Sequence, residues 1–140
     1  MALAGPLANL VLAVAAGLLL RLGLAAGRFV APEAVGFGSL VAAVPAGGVW
    51  SGVGTLASVF FSLNLLLGAF NLVPAPPLDG SGVVTLAMSD AAGRRYQSFL
   101  FRNRAIAWIG ILVAWRYFDL LFHPLWLFAV NLLHTTARYG

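Results

Sequence analysis

Two long stretches without a charged residue set the terms for this chain. Met1 to Leu20 carries none, and neither does Ala34 to Leu78. A helix needs about 20 mainly apolar residues to cross a bilayer. The first run has the length of one span, and the second holds one span plus an apolar connector. Of 140 residues, 61% are hydrophobic and 9% are charged. Soluble domains are about 45–50% apolar and about 25% charged. A soluble core of this size has no room for so much apolar surface, so lipid is the expected solvent.

All eight cations are arginines, and they flank the apolar runs rather than cluster. That pattern suits side chains snorkelling to a membrane surface, not a nucleic-acid footprint. Membrane lipid is the expected partner, and nucleic acid is not. The absence of cysteine excludes disulfides and thiolate metal sites. The first residues lack the positive segment of a secretory signal. The chain therefore reads as one entered midway, and truncation is the expectation.

Span one is expected over residues 3–24. Gly5 and Pro6 stand where proline is tolerated in a first turn, and Asn9 follows one turn later. Gly5, Ala8, Ala13, Ala16 and Gly17 offer small surfaces for close helix contact. Residues 25–54 read as a connector, because seven glycines with Pro32 and Pro45 argue against one regular helix. Within it, Phe37–Val44 suits either an interfacial segment or a hairpin arm. Span two is expected over 55–73.

Pro74, Pro76 and Pro77 then force the chain to become extended. Asp79-Gly80 allows a turn, and a helix can resume from Ser81. Residues 89–104 form a polar loop carrying Arg94, Arg95, Arg102 and Arg104. Span three is expected over 105–122, with Arg116 and Asp119 spaced to pair on one face. Pro124 should end it, leaving an interfacial or re-entrant helix over 125–137. The fold class is thus an all-α polytopic membrane protein in a single domain, with about three spans and one proline-broken helix end. The excess of arginine in 89–104 places that loop in the cytoplasm by the positive-inside rule.

The chemistry concentrates at 70–80. An aspartate inside a membrane segment costs about 2.5–3.5 kcal/mol on insertion scales. Irregular backbone at that depth survives only against protein or a wet cavity. Extended chain, Asn71 and Asp79 together point to a polar cavity. On residues alone, Asp79 can equally cap the helix beginning at Gly80, and Asn71 can bond a neighbouring helix.

Phe70-Asn71-Leu72-Val73-Pro74-Ala75-Pro76-Pro77-Leu78-Asp79-Gly80 resembles the FNLxPxPPLDG motif of site-2 proteases, the M50 metallopeptidases. Ala4-Gly5-Pro6-Leu7-Ala8-Asn9 resembles the AGPLAN element of the preceding core helix in that family. The resemblance implies an intramembrane zinc metalloprotease of the prokaryotic-type cell membrane. Such a protein cleaves transmembrane or membrane-proximal peptide bonds of transmembrane protein substrates. It implies that Asp79 is the third zinc ligand, beside two histidines of an HExxH segment. It implies that Asn71 positions or stabilises the substrate carbonyl, and that the Pro74–Pro77 stretch leaves room for an unwound substrate strand. Gly5, Pro6, Asn9 and Gly80 fall to structural roles.

HExxH is absent from these 140 residues. His123 and His134 stand about 16 Å apart on a straight helix, too far for an i,i+4 ligand pair, and are expected to be interfacial. The zinc site is incomplete in this chain, which is expected to be inactive until an HExxH-bearing segment joins it. Two other classes fit the residues: a non-catalytic pseudoprotease that binds membrane segments, and a transporter or assembly subunit with a broken helix.

Overall fold

The computed structural model describes residues 3–73, 78, 80–86, 88–134 and 136–140. Among these, five helices follow in chain order: α1 (Ala4–Ala25), α2 (Gly48–Asn71), α3 (Gly80–Leu86), α4 (Asp90–Arg102) and α5 (Arg104–Leu133). Two short antiparallel strands, β1 (Phe29–Val30) and β2 (Ala42–Ala43), lie between α1 and α2. Three helices are long and apolar enough to cross a membrane, the third over Trp108–Leu133. The all-α, three-span expectation stands.

α1 and α2 pack antiparallel. Lipid tails are as apolar as leucine, so helices in a bilayer associate by close packing and hydrogen bonding. Pro6, Ala13, Ala16, Gly17 and Leu20 are the buried residues of α1. Gly17 is tight: a Cβ there would lie 3.1 Å from the Phe61 ring of α2. Gly5 and Ala8, expected among the contact residues, are exposed instead.

The connector folds as a small hairpin. Phe29 pairs with Ala43 and Val30 with Ala42. Phe29 is buried against Gly23 and Gly54, and meets Trp50 edge-on at 6.1 Å. The backbone N–H of Leu40 donates to Ser58 Oγ of α2 at 3.1 Å, and that hydroxyl donates to Gly54 O at 2.7 Å. Ser58 thus anchors the hairpin to α2 with its own hydroxyl fully paired. Most of the buried apolar cluster lies at this end: Leu20, Phe29, Leu40, Val41, Val130 and Leu133.

Four expected boundaries are corrected. α2 begins at Gly48, not at 55. A side chain at Gly52 would meet open space, so glycine is merely tolerated there, while Gly54 makes room for Phe29 and Val41. Most of the expected 89–104 loop is helical, as α4 (Asp90–Arg102). Asp90 in its first turn and Arg102 in its last complement the helix dipole, and Gly93 packs on Thr85 of α3. Pro124 lies inside α5 rather than ending it. A proline removes one N–H, but packing beyond it holds the helix: Trp126 Nε1 donates to Ser62 Oγ of α2 at 3.1 Å, and Val130 is fully buried. Residues 125–133 therefore belong to the third span, not to an interfacial helix. Arg116 stands 5.9 Å over the Tyr117 ring, and no ion pair to Asp119 forms among the described residues.

The glycines give a paired test. At Gly23 an added methyl would strike the Phe29 ring, whereas at Gly52 it would meet open space. Gly23→Ala should cost about 1–3 kcal/mol by overpacking. Gly52→Ala should be neutral or stabilise by up to about 1 kcal/mol through helix propensity. Thermal unfolding of the two variants in one detergent should move in these opposite senses.

Candidate functional site

The antiparallel packing of α1 on α2 carries the two sequence motifs to one end of the bundle. Pro6 is buried there and Asn9 is half-buried. A Cβ on Gly68 would lie 3.5 Å from Asn9 Cβ and 3.6 Å from Pro6 O. Gly68 thus lets the start of α1 approach the last turn of α2. Asn71 is the final residue of that turn and is half-buried. Beside it, Phe70 meets Trp115 and Phe118 of α5 edge-on, at 6.3 and 5.2 Å. Asn64, further back on the same helix, is buried and donates to Phe60 O at 2.8 Å.

Gly80 closes the other side. A Cβ there would overlap the carbonyl oxygens of Leu72 and Val73. Only glycine lets the first residue of α3 sit this close to the end of α2. Leu78 O accepts from both Ser81 N, at 3.1 Å, and Ser81 Oγ, at 2.8 Å. The chain therefore returns to its point of departure between positions 73 and 80. Pro74, Pro76, Pro77 and Asp79 lie outside the described residues. Gly5, Pro6, Asn9, Asn71 and Gly80 all belong to this end of the bundle.

The donor set does not suit zinc by itself. No group of three His, Asp or Glu residues stands together among the described residues. His123 is exposed on α5. His134 follows α5 at the hairpin end, opposite the motifs. It is buried against protein, and its Nε2–H donates to Leu40 O at 2.9 Å. Neither histidine stands at the motif end, so the described residues by themselves do not fit a zinc ion.

Sequence reasoning missed the His134 contact. It belongs to a small clasp in which Tyr139 Oη donates to Pro32 O at 2.8 Å. Asn131 bonds both the N–H and the carbonyl of Tyr139. The only legible signal was a histidine and a tyrosine just beyond an apolar helix.

The geometry so far defines a polytopic helical membrane protein in which the start of α1, the end of α2 and the start of α3 meet at one end of a tight helix pair. The family model for Peptidase family M50 matches residues 1–114. The chain belongs to that family, whose members are site-2-protease-like, zinc-dependent intramembrane peptidases. No curated protein and no solved structure matches the chain.

The clasp should respond to acid. Burial holds the His134 pKa below its ordinary value of 6.5, against a smaller opposing effect of the bond to Leu40 O. The folded state therefore binds the proton less readily than the unfolded one. The contribution is complete above the unfolded value and is lost as pH falls below it towards the folded value. Protection factors of the amides at 131–134 and 136–140, taken against intrinsic exchange at the same pH, should fall as pH drops below about 6.5. His134→Gln, which keeps a donor without a titrating ring, should flatten that dependence.

Proposed function

We propose that this chain supplies the carboxylate half of an intramembrane zinc endopeptidase acting on transmembrane or membrane-proximal peptide bonds. In this reading Asp79 is the third metal ligand, beside two histidines of an HExxH helix contributed from outside these 140 residues. Asn71 holds the substrate carbonyl. Pro74, Pro76 and Pro77 run beside an unwound substrate strand. A single observation carries the proposal: α1 and α2 bring the AGPLAN element against Gly68, one turn from Asn71, while Gly80 returns the chain to Leu72. Both motifs thereby belong to one end of one helix pair.

Gly5 and Ala8 are exposed on α1 at that end. Small residues admit close helix approach, so this face is where the HExxH helix packs. Zinc, when bound by two imidazoles and one carboxylate, lowers the pKa of its water and polarises a carbonyl. The part of this chain is to hold one ligand on a short tether and to keep the substrate extended. Membrane lipid, the HExxH segment and transmembrane protein substrates are its partners.

The test joins an HExxH-bearing segment ahead of Met1 and follows cleavage of a reporter transmembrane peptide with metal content. Asp79→Asn should weaken zinc binding, and Asp79→Glu should too, because a ligand shell tolerates only about 0.2 Å. Asn71→Ala should keep zinc and slow cleavage by about 10²–10³, the usual cost of one lost oxyanion donor. An Asp79→Ala protein with full zinc and full activity would remove the residue from the site. Zinc bound by the parent without cleavage would favour a pseudoprotease.

The proposal also fixes an orientation. Arg94, Arg95 and Arg102 are exposed on α4, and the rule that basic segments stay inside puts α4 in the cytoplasm of a prokaryotic-type cell. Ser98→Cys on the exposed side of α4 should resist an impermeant maleimide in intact cells and react once the cells are opened. Labelling from outside would reverse the topology.

A further inference from the structure

Two cavities at the hairpin end share a wall. One is apolar, about 330 Å³, and runs between α1 and α5 past Val14, Leu18, Phe61, Leu125 and Ala129. The other, about 550 Å³, opens at the end of the bundle beside Phe29, Ala31, His134 and Thr136. Arg21 and Leu133 line both. Together they form one groove with a greasy half, a polar half and a guanidinium at the junction.

Arg21 is the feature that needs an account. It lies in α1, four residues before the helix ends at Ala25. Four residues are about 6 Å of rise, one turn inside the end of the span. A cation within a span is costly and by default marks a functional position. One N–H of Arg21 donates to Leu132 O of α5 at 2.9 Å. That carbonyl is among the last four of its helix, which have no partner within it. The bond therefore seats the guanidinium at the mouth of the groove. A guanidinium has five N–H donors, so most of them are left for something else. Among the described residues, no acidic side chain lines either cavity.

We infer that this groove binds one anionic phospholipid. One acyl chain lies along α1 and α5 in the apolar half, and the other stays in the surrounding bilayer. The phosphate sits at Arg21, and the rest of the headgroup occupies the polar half near Thr136. Three observations support this occupant over a protein helix. The charge at the junction is complementary to a phosphate, which the planar guanidinium can meet with two parallel hydrogen bonds. Arg21 stands one turn inside the end of an apolar span, from which a long cationic side chain can reach the polar region of a bilayer. Beyond Arg21 the lining becomes mixed, with His134 and Thr136 set among apolar side chains. Both volumes lie within the range of about 300–1,000 Å³ usual for small-molecule sites. No residue of the two motifs takes part, so the groove is independent of the protease chemistry.

The experiment uses the purified 140-residue protein in mild detergent. Native mass spectrometry counts lipid bound on titration with phosphatidylglycerol, with phosphatidylcholine, and with inorganic phosphate alone. One phosphatidylglycerol should bind per chain, more than about tenfold tighter than phosphatidylcholine, and phosphate alone should give no adduct. Arg21→Gln keeps a donor for the Leu132 carbonyl and should erase the preference between the two lipids. Arg21→Lys, which keeps the charge without the fork, should retain part of it. Ala129→Trp fills the apolar half and should weaken phosphatidylglycerol binding with Arg21 intact. Equal affinity for both lipids in the parent would overturn the site, as would an undiminished preference in Arg21→Gln. Full phosphatidylglycerol binding in Ala129→Trp would remove the acyl seat. Equally tight binding of phosphate would leave an anion site with no lipid in it.

Discussion

The close approach of α1 to α2 is the contact on which everything else in this protein depends. In lipid, every backbone polar group must find its partner within the chain, and nothing like the hydrophobic effect pulls one helix onto another. What remains is shape. Ala13, Ala16 and Gly17 on one helix and Ala57 and Gly68 on the other keep the surfaces low enough to meet. Phe61 then fills the space beside Gly17. Once the pair is set antiparallel, the start of α1 must lie beside the end of α2. The meeting of Pro6 and Asn9 with Gly68 is a consequence of that packing.

The bundle divides its work between its ends. At the hairpin end lie the fully buried side chains Leu20, Leu40, Val130 and Ser58. Among the described residues, the motif end holds few buried apolar side chains. Closure there rests on glycines, Gly68 and Gly80, and on aromatic edges around Phe70. Packing that holds the helices together is thus remote from the residues proposed to touch substrate. A substitution in the hairpin acts on stability with little path to the chemistry, and the polar residues of the motif end need not serve the core.

Much of this was legible in the sequence, for a physical reason: a charge-free run of 20 residues has one solution in a bilayer. The first two spans follow from that, and the third from an apolar run interrupted by charge only at Arg116 and Asp119. The convergence of the motifs was legible as well, because two neighbouring antiparallel spans put residues 4–9 and 68–71 at one level. The elements that differ from expectation share a cause. Gly48–Gly54 is rich in glycine for a helix, yet Phe29 and Val41 use the space at Gly54. Pro124 has the local character of a stop, yet Trp126 and Val130 find partners beyond it. In each case a contact distant in sequence outweighs a local propensity. The bond between His134 and Leu40, 94 residues apart, leaves no local trace at all.

Pro124 has a mechanical meaning of its own. The ring has no N–H to give to the carbonyl one turn earlier, at Leu120, and Leu120 and Leu121 are among the most exposed side chains of α5. The hydrogen-bond ladder is therefore interrupted on a stretch whose side chains no neighbouring helix braces. The first half of α5 leans on Phe70 through Trp115 and Phe118, and the second half leans on Ser62 through Trp126. The long helix is thus two levers on a shared pivot. The missing bond at Leu120 leaves the stretch before Pro124 the least braced part of α5, between its contacts at the motif end and the clasp around Tyr139.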